Sequence, residues 1–313
     1  MKLLPLLLPA LLTLHLAAAP DFHPPSVVKQ LEAVGPTDEF TPTERILFLD
    51  TEEFTTIPDP GPIDWLSSHI ERGQTCSRFL QEDYAKPTDS TYLYLQPIGV
   101  SDLPIEFQEL LIKYCSAFFD TKVKLLETMP IDTRLISTRI NQFTGKRQLN
   151  AADILEVLKV QKPNDAYAVI AFTTTDLYPQ ETWNFVFGLA NLRESVGVFS
   201  IARYGNLASE PKLYTERALK VMTHEIGHMY GIKHCIYYHC LMNGSNHLEE
   251  TDAAPMHLCP VCLRKLDLSV KPDHLMRYTR LKKIYQHENL EPPAEFTKKR
   301  VRKLISSSLE SSL

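Results

Sequence analysis

Beyond residue 90 the chain alternates short apolar runs with stretches whose apolar residues recur every three or four positions, a pattern of strands interleaved with amphipathic helices. Tyr92 to Gln96 is aromatic and apolar and stops at Pro97, which predicts a strand, and Phe107 to Phe118 then has helical spacing. Val123 to Met129 reads as a second strand, and Leu149 to Val160 as a helix opened by Asn150 and closed before Pro163. Ala166 to Phe172 is almost continuously apolar, as a strand buried on both faces requires, and Phe185 to Leu189 and Val196 to Ala202 follow as further strands. Helices are predicted over Thr215 to Tyr230 and Asp273 to Gln286, with a cysteine-rich segment between them. Upstream, Thr41 and Pro42 open a helix over Glu44 to Leu49, Asp64 to Ile70 forms a second short one, and residues 71–90 read as loop. The order predicts an α+β (α/β-like) fold, a mixed sheet with helices on its faces, over residues 41–287 as one domain. Residues 20–40, rich in proline and polar groups, read as an extended lead-in, and residues 288–313 as a mobile basic and serine-rich tail.

Composition narrows this reading only a little. With 313 residues and 44% hydrophobic content the chain can bury a sizeable core, and a net charge of −5 gives no general attraction to nucleic acid or to an anionic membrane. The basic run Lys298, Lys299, Arg300, Arg302 and Lys303 has no interleaved aromatic residues, so it reads as a solvated face and no nucleic-acid partner is expected. At the N-terminus, Lys2, the apolar run Leu3 to Leu16 and the small residues Ala17 to Ala19 read as a signal peptide over residues 1–19 and point to the secretory pathway. The run is too short for a membrane span, and its single positive charge, its prolines and Pro20 keep a cytoplasmic location as the alternative.

The chemistry is concentrated between residues 224 and 262. His224 to His234 reads HEIGHMYGIKH, which fits HExxHxxGxxH at every defined position. Residues four apart share a helix face, so His224 and His228 can both present ring nitrogens to one ion, while Glu225 stands beside that ion as a general base. Gly231 allows a positive φ that ends the helix and returns the chain so that His234 becomes the third ligand. Three imidazoles leave a fourth position open, which distinguishes a catalytic zinc from a structural one. Cys235 and Cys240, then Cys259 and Cys262, pair in spacings that suit a closed tetrahedral structural zinc; in a secreted chain two disulfides are the competing arrangement. His239, His247 and His257 read as exposed loop residues, and Cys76 and Cys115 as semi-buried thiols.

At these residues the chain resembles the archaemetzincin (archaelysin) family, whose signature HExxHxxGxxHCx4CxM with a later CxxC is met by HEIGHMYGIKHC, IYYHCLM and CPVC. GSNHLEE and LCPVCLRKL are similar to its eukaryotic branch, and weaker likeness in YLYLQPIGV, FTTTDLYP and VGVFSIARY extends the resemblance over roughly residues 40–285. The resemblance implies a compact metzincin fold with a twisted mixed sheet above an active-site helix, and a metallopeptidase acting on a peptide or protein substrate. It implies two Zn2+ per chain: a catalytic one on His224, His228 and His234, and a structural one on Cys235, Cys240, Cys259 and Cys262. It also places Met242 at the Met-turn, as an apolar floor beneath the histidines. The family is mostly intracellular, which stands against the signal-like segment. The alternative from another class is an inactive zinc-stabilised interaction module, against which the intact Glu225 argues.

Overall fold

The computed structural model describes residues 22–82, 84, 86–88, 91–100 and 103–310, so the signal-like segment lies outside the described residues. Helix α1 (Val27–Val34) is capped by Ser26, whose hydroxyl accepts from the Lys29 N–H, and α2 (Pro42–Phe48) opens on a capping box between Thr41 and Glu44. Short helices α3 (Trp65–Ser68) and α4 (Cys76–Gln81) precede β1 (Tyr92–Ile98), α5 (Ile105–Phe119), β2 (Val123–Leu125) and β3 (Thr138–Ile140). Next come β4 (Arg147–Asn150), α6 (Ala151–Gln161) capped by Asn150 as expected, β5 (Ala166–Thr173), β6 (Asp176–Tyr178), β7 (Gly188–Asn191) and β8 (Val196–Ser200). The remainder is helical: α7 (Pro211–Met229), α8 (Leu248–Ala253), α9 (Pro260–Val270), α10 (His274–His287) and α11 (Glu291–Glu310).

The expected mixed sheet is present as five strands in the order β2-β1-β5-β8-β7, all parallel except the edge strand β7, which runs antiparallel to β8. Central β5 is buried along nearly its whole length, which is why its sequence is apolar without alternation. One face packs on α6 through Ile154, Leu155 and Leu158, the other on α5 and α7 through Phe119, Leu219, Met222 and Ile226. Helix α7 thus lies beneath the sheet with its C-terminal turn beside β7. Among the described residues no helix is long and apolar enough to cross a membrane.

The differences from expectation fall where local pattern is weakest. A second sheet, β3-β4-β6, has strands of only three or four residues, too short to show alternation. The strand expected over Val123 to Met129 ends at Leu125, with Met129 returning only as a bridge to Ile98, and the strand expected at Phe185 to Leu189 lies at Gly188–Asn191. The lead-in expected to be extended carries α1, and the expected loop 71–90 carries α4. The tail expected to be mobile forms α11. Pro292 and Pro293 sit in its first turn, where a missing N–H costs no intrahelical bond, and Phe296, Arg300 and Leu304 repeat every fourth residue as its buried face.

The basic run is a solvated face only in part: Lys298, Lys299 and Arg302 are exposed, whereas Arg300 is buried and Lys303 half-buried. Lys303 is held by Asp50, Glu52 and Glu53 at 2.7 to 2.8 Å, and the fully buried Arg300 pairs with Glu53 at 3.3 Å while donating to the Ile46 carbonyl. Arg300→Ala empties a buried site and leaves Glu53 with Lys303 as its remaining cation, so it is expected to lower the unfolding free energy by about 1–3 kcal/mol. Urea unfolding followed by circular dichroism checks this, with exposed Lys299→Ala as the control expected to change little.

Candidate metal centre and active-site groove

The helical stretch of the motif is the last turn and a half of α7, which places His224 and His228 on one face with their Nε2 atoms 3.1 Å apart. Tyr230 caps the helix, and Gly231 takes φ 82°, a left-handed conformation that favours glycine. The chain then turns back, and the His234 ring stands 5.2 Å from that of His224 and 5.0 Å from that of His228. One nitrogen from each ring lies within 4.8 Å of the others. Each Nδ1 is already engaged: His224 with the Leu241 carbonyl at 2.9 Å, His228 with the Ile232 carbonyl at 2.7 Å, and His234 with Glu71 Oε1 at 2.8 Å. Those acceptors fix the tautomer with the proton on Nδ1, so three Nε2 lone pairs are left to face one point. Burial and the neighbouring imidazoles keep His224 and His228 neutral, His224 being pushed down to about 3. Neutral, convergent imidazoles are the donor set a zinc ion takes.

Glu225 points from α7 toward β7 and is only 7% exposed. Its neighbour there is Gly188; a Cβ at that position would stand 2.5 Å from Glu225 Oε1, so the carboxylate needs a glycine on the edge strand. Burial pushes its carboxyl up to about 8. Met242 is fully buried beneath the helix, its sulfur 2.5 Å from where a Cβ on Gly227 would be, so that glycine lets Met242 close the floor. The same segment accepts the Cys235 N–H at the Met242 carbonyl, 2.7 Å away.

Cys235, Cys240, Cys259 and Cys262 are buried, free of disulfides, and their sulfurs lie within 4.8 Å of one another, Cys235 and Cys259 at 3.6 Å. Two backbone N–H groups, of Met242 and Cys259, point at the Cys240 sulfur. For Cys235, burial raises the thiol pKa, but hydrogen bonds from the other three cysteines and the charge of Lys265 carry it well below the usual thiol range. Lys265 is itself fully buried with its ammonium lacking a hydrogen-bond partner, a positive charge that fits a cluster of thiolates around a dication.

The sequence pattern of Peptidase family M54 matches residues 117–268. Archaemetzincin-2 of Macaca fascicularis is 38% identical over 257 residues, which cover 71% of this chain and 71% of the relative. Archaemetzincin-2 of Homo sapiens is 37% identical over 269 residues, covering 74% and 75%. The chain belongs to the archaemetzincin family. It falls in the eukaryotic branch and is a zinc metallopeptidase, a hydrolase. The solved archaemetzincin of Archaeoglobus fulgidus, complexed with malonate, is 28% identical and superposes with a TM-score of 0.46 over 56% of this chain and 99% of its own.

In this archaemetzincin the three histidines open onto a groove of about 990 Å³, lined by Phe187, Gly188 and Leu189 and by Trp65 and His69 of the N-terminal segment. The contribution of the N-terminal segment is not legible in the sequence. Glu71 and Trp65 stand far from the motif in a stretch read as helix and loop, and no spacing links them to it. Although burial raises the Glu71 pKa, hydrogen bonds from His234 and Trp65 bring it below the usual carboxylate range. The three histidines expected to be exposed are half-buried instead: His239 lines the groove, His247 pairs with Asp64 at 2.9 Å, and His257 stacks on Phe296 at 3.8 Å. Cys76 and Cys115 are fully buried rather than semi-buried.

The buried imidazoles of His224 and His228 set a pH dependence for the metal-stripped chain. Their folded pKa values are depressed, so the stability they contribute is complete above the unfolded value of about 6.5 and is lost as pH falls toward the folded value, about 3 for His224. The thermal midpoint of the chelated protein is expected to fall steadily from pH 7 to pH 4; a flat profile contradicts the neutral-imidazole reading.

Proposed function

We propose that this archaemetzincin hydrolyses peptide bonds at a zinc ion held by His224, His228 and His234, with Glu225 as general base, and that Cys235, Cys240, Cys259 and Cys262 hold a second, structural zinc. The observation that carries the reading is the convergence of three Nε2 atoms with every Nδ1 already paired, beside a buried carboxylate. A bound zinc supplies Lewis acidity, lowering the pKa of a water toward about 7 and polarising the scissile carbonyl. Glu225 accepts the proton of the attacking water and delivers it to the nitrogen of the leaving amine. Its burial favours holding that proton between the two transfers, while a dication alongside favours releasing it. Gly188 leaves the space on the edge strand that the Glu225 carboxylate occupies. Residues 1–19 support a second, separate proposal, a secretory signal, which N-terminal sequencing of the mature chain tests.

Elemental analysis together with hydrolysis of a mixed peptide library tests the site. Wild type and Glu225→Gln are expected to carry two zincs each, with turnover at least about 100-fold lower in the variant. Full turnover in Glu225→Gln removes that residue from the mechanism, and two zincs with no hydrolysis by wild type favours the inactive module. Since His234 and Cys235 are neighbours in the chain, Cys259→Ser is expected to lower occupancy of the three-histidine site as well as the cysteine site. Unchanged histidine-site occupancy contradicts the structural role of the second zinc.

A further inference from the structure

The three histidines are not held alike. His224 and His228 ride on α7 and hand their Nδ1 protons to main-chain carbonyls close by in sequence. His234 lies beyond the Gly231 turn, off the helix, and its Nδ1 meets a carboxylate 163 positions upstream. The same oxygen takes a second donor: Trp65 Nε1 donates to Glu71 Oε1 at 3.0 Å, and the Trp65 ring stands edge-on to His234 at 5.0 Å. Trp65 is pinned in turn. Its N–H donates to Glu250 at 2.9 Å, His69 stacks flat on it at 3.6 Å, and it fills the space a Cβ on Gly244 would take, 2.6 Å away.

A second contact from the same stretch grips the turn itself. Gln74, almost fully buried, donates to the Gly231 carbonyl at 3.0 Å and accepts the Lys233 N–H at 3.1 Å, so one side chain spans both ends of the bend that aims His234. Glu82 binds the Gln74 amide at 2.6 Å and the Lys233 ammonium at 2.5 Å. Thr55 accepts the His239 N–H at 2.9 Å, and Gln30 donates to the Tyr237 carbonyl at 2.9 Å, which continues the brace along the following loop. The bracing residues Gln30, Thr55, Trp65, Glu71, Gln74 and Glu82 all precede residue 117, where the match to the peptidase family begins.

We propose that Glu71 is the positioning residue for the third histidine, and that the N-terminal segment around Trp65, Glu71 and Gln74 completes a metal site the family core leaves unfinished. The inference rests on the three-histidine zinc reading. A carboxylate on Nδ1 locks the ring's orientation and tautomer and makes Nε2 a stronger donor, and losing such a partner weakens metal affinity by about 10–100-fold. An exposed ion pair would contribute little, but Glu71 and His234 are 24% and 20% exposed and share their contact with the Trp65 indole.

The test is cobalt titration of the metal-stripped full-length chain, in which thiolate-to-cobalt charge transfer reports the cysteine site and the weaker ligand-field bands report the nitrogen site. Glu71→Ala is expected to weaken cobalt and zinc at the nitrogen site by about 10–100-fold and to shift its ligand-field bands, with the charge-transfer band unchanged. Glu71→Gln, which keeps an acceptor oxygen without the charge, is expected to fall between Glu71→Ala and wild type, a grading that loss of packing alone would not give. The intact charge-transfer band is the folding control. Where Glu71→Ala lacks it, Trp65→Phe, which keeps a ring and removes the indole donor, is expected to weaken only the nitrogen site. Wild-type affinity and spectra in the Glu71 variants, or in Trp65→Phe when that variant decides, overturn the role of Glu71. A wild-type chain with cysteine bands and no nitrogen-site bands overturns the zinc assignment on which the inference rests.

Discussion

Consecutive Cα atoms stand about 3.8 Å apart, and that covalent limit joins the two clusters on which this archaemetzincin depends. His234 is the last of the converging imidazoles and Cys235 the first of the converging thiols. Neither can move without the other, so the turn that begins at Gly231 must satisfy two geometries at once. The surrounding chain is arranged to hold it. Gln74 spans the bend, Met242 accepts the Cys235 N–H, and Asn243 ties the Cys235 and Tyr238 carbonyls together through one amide. The sheet contributes from the other side: its antiparallel edge strand brings Gly188 against Glu225, and its packed face fixes the height of α7.

Electrostatics and packing agree at this turn. Neutral His224 and His228 imidazoles and a carboxyl held near 8 are the states burial selects in the absence of a cation, and a dication among them reverses the preference of the carboxyl while using the lone pairs of the rings. In the cysteine cluster the same logic runs with opposite sign. Four thiolates around a dication carry net negative charge, and the buried, unpartnered ammonium of Lys265 is the complementary charge in reach of it. Each cluster is therefore expensive as bare protein, and a bound dication would satisfy it.

How much of this was legible in the sequence depends on whether a feature is local. The histidine spacing, the Gly231 turn and the cysteine pairs are written within forty residues, and the structure brings each set together where helix and turn geometry place them. Long elements such as β5, α5 and α7 were readable because their periodicity runs over enough residues. The small sheet was not, its strands being too short to show alternation. Helix α11 is hidden in the sequence because its two prolines and five cations resemble a solvated tail until Asp50, Glu52 and Glu53 are brought opposite Arg300 and Lys303. Glu71, Trp65 and Gly188 were invisible for a different reason: each acquires its role only through a contact between distant parts of the chain.

The central claim is that two chemically different zinc sites share one turn, and zinc X-ray absorption of the intact, fully loaded chain tests it most directly. Four thiolates at one ion and imidazoles with a light-atom ligand at the other average to a shell of about two sulfurs near 2.3 Å and about two nitrogens or oxygens near 2.0–2.1 Å per zinc, with the outer-shell scattering of imidazole rings. That mixed shell is the expected result. A shell of sulfur alone, without imidazole scattering, would contradict it and leave the three histidines without a metal.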